Sequence, residues 1–142
     1  MSYRAKILIV DDEPRLCNSL KVFLNNQNSD IYTAYSGTEA IDLLAKHKFD
    51  LVLLDMVMPD MTGYQVIDYI NVNGLKPLII IMTGYTSTEP GVESVLKGIF
   101  DYLRKPFDLE KLLKTVEDAL HMKAREERGK QAGETGTNLQ GI

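Results

Sequence analysis

Three stretches of the chain are short, continuous apolar runs: Lys6–Val10, Leu51–Leu54 and Pro77–Met82. Runs of this length without polar alternation suit strands buried on both faces, as in the middle of a parallel sheet. Ile31–Tyr35 and Phe100–Leu103 are more mixed and suit strands nearer an edge. Between them the apolar spacing changes to every third and fourth residue, the period of a helix with one buried face. Leu16, Leu20, Phe23 and Leu24 form the first such stripe. Ile41, Leu44 and Ala45 form the second, opened by Ser36-Gly37-Thr38-Glu39, which has the form of a capping box. A third runs from Gly63 to about Val72, with Val66, Ile67 and Ile70 on its stripe and Gly74 as its stop. In the last, Asp108 stands as N-cap and Leu109, Leu112, Leu113, Val116 and Leu120 follow. Thr88 to Lys97 suggests one more helix, weakened by Pro90 and Gly91 in its first turn.

Strands alternating with helices in this way predict an α/β chain of (βα)5 form, a parallel sheet covered on both faces with right-handed crossovers. At 142 residues one domain with one hydrophobic core is expected. The apolar stripe ends after Leu120, so the domain is assigned to residues 1–122. Residues 123–142 read as a charged helix extension, Lys123–Arg128, followed by a glycine-rich flexible tail or linker.

Composition narrows the class only a little. With 44% hydrophobic and 25% charged residues the chain is of ordinary globular type. No apolar run approaches the roughly 18 residues of a membrane span, and the first residues have no signal-peptide core, so a cytoplasmic protein without membrane contact is expected. Cys17 is the single cysteine and sits among helix-patterned apolar residues, which points to packing rather than chemistry. A net charge of −4 argues against direct nucleic-acid binding. His47 and His121 show no spacing with acids or Cys17 that suggests a metal site or relay, and both read as exposed helix residues.

Chemistry enters at the strand ends. Asp11 and Asp12 follow the first strand, Asp55 the third, Thr83 the fourth and Lys105 the fifth. All would meet at the carboxyl edge of the sheet, where open α/β folds bind ligands at the point of strand-order reversal. In the flavodoxin-like order 2-1-3-4-5 that point lies between the first and third strands and brings Asp11 and Asp12 beside Asp55. Three carboxylates in one crevice need a cation, and an oxygen-only set suits a hard ion such as Mg²⁺. Taken singly, the aspartates could cap the first helix and Lys105 could be a surface residue; four coincidences at four strand ends make that reading poor.

The runs Ile7-Leu-Ile-Val-Asp-Asp-Glu13, Leu53-Leu-Asp-Met-Val-Met-Pro-Asp-Met-Thr-Gly63, Met82-Thr-Gly84 and Asp101-Tyr-Leu-Arg-Lys-Pro-Phe107 together resemble the receiver domains of two-component response regulators over about Tyr3 to His121. The resemblance implies that Asp55 accepts a phosphoryl group from a phosphohistidine on a sensor histidine kinase or phosphotransfer protein. It implies further that Asp12, Asp55 and the backbone carbonyl of Val57 bind Mg²⁺, and that Asp11 holds the waters of the ion. Thr83 and Lys105 would contact the phosphoryl oxygens, and Tyr102 would reorient on activation. The chain would then act as a switch rather than an enzyme with a separate substrate, controlling an output domain or target protein. A homodimer through the face of the fourth helix, fifth strand and fifth helix is also implied. The Lys105-Pro106 bond is expected to be cis, since only X-Pro bonds adopt that isomer readily.

Several positions depart from the family pattern. Ile99 stands where receivers usually have alanine, Thr62 replaces a frequent acid or amide before Gly63, and Pro90-Gly91 is unusual in the fourth helix. Val57 and Tyr85 occupy positions that in receivers tune the lifetime of the phosphoryl group. Thr83-Gly84-Tyr85 is similar to receivers attached to transcriptional activators. An aspartate-nucleophile phosphatase would need Asp-x-Asp after the first strand, and a flavodoxin a hydroxyl- and glycine-rich phosphate loop there; this chain has Asp11-Asp12-Glu13. The remaining rival is an interaction module whose acidic pocket is vestigial and which works without phosphorylation.

Overall fold

In the computed structural model the described residues are 4–25, 28–83 and 98–140, with the side chains of Thr83 and of 130–140 outside the description. The expected helix over Thr88–Lys97, with Pro90, Gly91, Gly84 and Tyr85, therefore lies outside the described residues.

The apolar runs become strands β1 (Ala5–Val10), β2 (Ser29–Ala34), β3 (Leu51–Asp55), β4 (Leu78–Thr83) and β5 (Ile99–Arg104). They form one parallel sheet in the order β2-β1-β3-β4-β5, the doubly wound flavodoxin-like arrangement. Alternate residues of each strand face opposite sides, so the sheet has two cores. Leu8, Val10, Val52, Leu54, Ile79 and Ile81 pack under α2 (Gly37–Lys46) and α3 (Gly63–Val72). Ile7, Ile9, Leu51, Leu53, Ile80 and Met82 pack under α1 (Pro14–Leu24) and the C-terminal helix (Leu109–Gln140). Cys17 lies in this second core, fully buried. Each fully buried leucine or isoleucine contributes about 1.5–3 kcal/mol relative to exposure. The β4–β5 pairing has an irregularity between Ile79 and Ile80, opposite Ile99 and Asp101. Ile99, the position that departs from the usual alanine, is half-buried there against the α2/α3 core.

Helix faces differ in detail from the apolar spacing. On α2 the buried residues are Gly37, Ala40 and Leu44, while Ile41 is half-buried and Ala45 is exposed. On the C-terminal helix Leu112, Val116 and Ala119 turn inward, and Leu109 and Leu113 stay 50% and 37% exposed. Leucines at spacings of three and four span a wider arc than the sheet covers, so those on the flank remain outside. His47 was expected on the surface; it ends α2 half-buried, its ring 4.7 Å from Tyr32 and 6.0 Å from Phe49. His121 is exposed, as expected.

The C-terminal helix continues to Gln140, through Gly129, Gly133 and Gly136. Single glycines cost about 1 kcal/mol each in a helix, and the intervening Lys, Ala, Glu and Gln residues favour it. Lys123, assigned to the extension, is buried, with its ammonium donating to the Lys76 carbonyl and 3.6 Å from Glu126. A cavity of about 490 Å³ opens beside it over Leu44, Phe49, Leu75 and Pro77. It lies at the amino edge of the sheet, away from the strand-end carboxylates. Among the described residues no helix is long and apolar enough to cross a membrane.

Two loops at the carboxyl edge hold each other. Ser36 Oγ accepts from Glu39 N at 3.1 Å, half of the expected capping box, and Glu39 Oε2 accepts from Tyr35 N at 3.0 Å. Where α3 begins, Gly63 N donates to Met56 O at 3.0 Å, so the helix starts directly against the end of β3. A Cβ on Gly63 would lie 2.8 Å from Asp55 O and from Met56 Cα; on Gly37 it would meet the side chain of Met61. Backbone cannot yield as a thioether side chain can. Gly63→Ala should therefore lower stability by about 1–3 kcal/mol. Gly37→Ala should stay within about 1 kcal/mol of wild type, because Met61 can swing and alanine favours the helix. Urea midpoints at constant m-value measure both.

Candidate functional site

Parallel strands end together, so whatever follows them is delivered to one edge. Asp11 follows β1 and its N–H extends the ladder to Ala34 O at 3.1 Å. Asp55 is the last residue of β3, opposite Met82 of β4. Lys105 follows β5, and the Lys105-Pro106 bond is cis, as expected. The structure thereby gathers one carboxylate oxygen each from Asp11, Asp12 and Asp55 within 4.8 Å of one another.

Lys105 crosses this cluster. Its Nζ lies 2.6 Å from Asp11 Oδ2 and 3.5 Å from Asp55 Oδ2. Asp11 is fully buried and its Oδ1 also accepts from Glu13 N at 2.9 Å. Asp55 is buried, with Oδ1 accepting from Val57 N at 3.2 Å, while Asp12 faces solvent. Glu13 is the N-cap residue of α1 but makes no side-chain cap bond, and Pro14 opens the helix.

The electrostatics follow from burial. Desolvation pushes the Asp55 carboxyl above its ordinary range, against the Val57 N–H bond and the charge of Lys105, which pull it down. Burial alone would lower the Lys105 ammonium; the bond to Asp11 and the charges of Asp11 and Asp55 outweigh it and leave the pKa raised. Cys17, whose Sγ donates to Asp11 O at 3.4 Å, is pushed up to about 12 by burial and then by the charge of Asp11, so its thiol stays neutral.

Of the other residues singled out from sequence, Val57 is in the loop directly after Asp55, its side chain 57% exposed. Thr83 ends β4 opposite Arg104 of β5; its side chain lies outside the description. Tyr102 is on β5 opposite Ile81 and is 52% exposed, apart from the carboxylate cluster in this conformation. Sequence reading gave no role to Asp60. Its carboxylate takes three hydrogen bonds from the start of α2, a long-range cap that no local spacing signals.

The three carboxylates against one ammonium leave two negative charges in the pocket, all on hard oxygen donors. That set fits a small divalent cation such as Mg²⁺, which favours carboxylates and retained waters.

A doubly wound parallel sheet with an acidic, lysine-bridged pocket at its switch point defines the class. Comparison with known proteins makes it specific. Residues 7–117 match the family described as the response regulator receiver domain. The chain is 37% identical over 120 residues to the response regulator protein PilR of Pseudomonas aeruginosa, covering 84% of this chain and 27% of that protein. It is 31% identical over 111 residues to the cell cycle response regulator CtrA of Brucella ovis, covering 78% of this chain and 48% of that protein. It thus spans from about a quarter to about half the length of these relatives. Among solved structures, a signal receiver domain from Vibrio parahaemolyticus superposes with a TM-score of 0.79 at 31% identity, covering 87% of this chain and 95% of that one. A CheY-like receiver domain protein from Methanospirillum hungatei gives 0.75 at 30%, covering 88% and 99%. The chain belongs to the response regulator receiver family of two-component systems.

The raised pKa of Asp55 has a stability consequence in metal-free buffer. A carboxyl whose folded value lies above the unfolded 3.8 favours the fold when protonated, and that contribution is lost as pH rises through the folded value. With EDTA present, Asp55→Asn should have a higher urea midpoint than wild type at pH 7. The gap should close as pH falls below about 4. A gap independent of pH would mean that the carboxylate charge is not what the fold resists.

Proposed function

We propose that this domain accepts a phosphoryl group on Asp55 from a phosphohistidine of a sensor histidine kinase or phosphotransfer protein, and switches conformation as a result. The observation that carries this reading is the pocket itself: a buried carboxylate at a strand end, two further carboxylates beside it, and the Lys105 ammonium within 3.5 Å. A vestigial pocket would have no reason to keep all four charges in register.

In the reaction an Asp55 oxygen attacks phosphorus, an acyl phosphate O–P bond forms, the P–N bond to the donor imidazole breaks, and the imidazole takes a proton. Phosphoryl transfer asks the protein mainly for position and charge compensation. The Val57 N–H orients the carboxylate by its bond to Oδ1. Lys105 leans between Asp11 and Asp55 and would turn its charge to the incoming oxygens, with Thr83 as a second contact. Asp11, Asp12, Asp55 and the Val57 carbonyl would hold Mg²⁺. When bound, Mg²⁺ supplies the charge that offsets carboxylate repulsion and the developing negative charge on the phosphoryl oxygens.

Tyr102 stands in solvent on β5, from which an inward turn would alter the outer face of β5 and the C-terminal helix. A ligand that contacts one state only shifts the population by its differential affinity. The exposed Leu109 and Leu113 add apolar surface to that face, which would serve an output domain, a target protein or a second copy of the chain.

Incubation with acetyl phosphate and Mg²⁺ should add one phosphoryl group, detected by intact mass and absent in Asp55→Ala. No gain in wild type would favour the phosphorylation-independent interaction module. Asp12→Ala should weaken Mg²⁺ binding by about tenfold or more and slow labelling in parallel, read by calorimetric titration and mass. An unchanged Mg²⁺ affinity would place the ion elsewhere.

A further inference from the structure

The loop from Asp55 to Gly63 is pinned at two ends. Near the site, Val57 N bonds Asp55 Oδ1 and Gly63 N bonds Met56 O, with Met56 and Met58 buried beneath. At the far end the chain comes to the surface at Pro59 and Asp60, and what holds it there belongs to another element. Asp60 Oδ1 accepts from Gly37 N at 3.1 Å, and Oδ2 accepts from Thr38 N at 2.9 Å and Thr38 Oγ1 at 2.8 Å. Met61 beside it fills the space over Gly37 that any Cβ would occupy.

These bonds complete the cap of α2. The first amides of a helix have no partner within it and carry its positive end. The Ser36 side chain satisfies Glu39 N; Gly37 N and Thr38 N are met by a carboxylate more than twenty residues further along the chain. Bonds from Thr38, first from its N–H, hold the Asp60 carboxyl down to about 2, so the clamp stays charged and closed throughout the neutral range. A cap needed only for α2 could come from a local residue. One supplied by Asp60 also fixes the loop that contains Val57.

We propose that Asp60 is a positioning residue for the phosphoacceptor. By tying the β3–α3 loop to the first turn of α2, it holds the Val57 backbone, and through it the Asp55 carboxylate, in the geometry for metal binding and phosphoryl transfer. The functional part of this inference rests on the role given to Asp55 above; the mechanical part does not. Asp60 is not one of the carboxylates gathered at the pocket and bonds only the start of α2, so its effect passes through Val57.

The test compares Asp60→Ala, Asp60→Asn and Ser36→Ala in the full chain. Ser36→Ala removes a cap from the same helix without touching the loop, and controls for loss of stability. Amide hydrogen exchange at Val57 in metal-free buffer should accelerate about tenfold in Asp60→Ala and stay near wild type in Ser36→Ala. The Mg²⁺ dissociation constant should rise about tenfold in Asp60→Ala, less in Asp60→Asn, which keeps one acceptor oxygen, and remain unchanged in Ser36→Ala. Labelling by acetyl phosphate should slow in the same order. If Asp60→Ala lowers the urea midpoint as Ser36→Ala does but leaves Val57 exchange and Mg²⁺ affinity unchanged, Asp60 is a helix cap only and the proposal is wrong. Should wild type bind no Mg²⁺ and take no phosphoryl group, the role of Asp55 fails instead, and Val57 exchange still decides whether the clamp positions the loop.

Discussion

Like charges held close together are the constraint on which this molecule is organised. Three carboxylates within hydrogen-bonding range of a common point repel one another, and the most buried of them, Asp11, has almost no water to help it. The compensating ammonium arrives from 94 residues away, on the far side of two intervening strands. Only a sheet that carries β1 and β3 side by side and ends β5 at the same edge can bring these groups together. The hydrophobic core sustains that sheet, and the sheet sustains an arrangement of charge that would not persist in solution.

The remaining features keep the arrangement from relaxing. A carboxylate pair bridged by one lysine could lower its energy by letting Asp55 swing outward into water. The Val57 N–H bond resists this locally. The tight start of α3 resists it through Gly63, whose missing side chain lets the helix meet the backbone at Asp55 and Met56. The Asp60 clamp resists it from α2. Each device is modest alone, since hydrogen bonds contribute about 1 kcal/mol net, but they act on one short loop. Burial, more than its neighbours' charges, raises the pKa of Asp55, so holding this carboxylate charged at the strand end works against the fold.

The fold was legible to a large degree. Strands buried on both faces advertise themselves as uninterrupted apolar runs, and their alternation with helical stripes leaves few topologies open. Element ends shifted by a residue or two, as at β2, which starts at Ser29 rather than Ile31. The helix faces were less accurate: Leu109 and Leu113 belong to the apolar pattern but remain exposed, because periodicity marks an arc and only packing determines how much of it is covered. His47 was misjudged for the same reason. It is half-buried between the ring of Tyr32 on β2, which is distant in sequence, and that of Phe49 just before β3, while Lys123 is buried with its ammonium on a carbonyl in the α3–β4 loop.

The sequence by itself determined the chemistry available at the carboxyl edge, because a residue directly after a parallel strand has only one place to go. Asp11, Asp12, Asp55 and Lys105 could therefore be assembled before any coordinates, and their motifs sufficed to suggest the family. What tertiary structure alone decided is how these groups share charge: that Lys105 lies closer to Asp11 than to Asp55, and that Asp12 is the exposed member. It alone decided the partner of Asp60 as well. A carboxylate in a loop carries no mark of the helix it will cap. That pairing arises from the distance between two loops, which depends on the order of the strands and the packing of α2 against α3, and on no pattern within either segment.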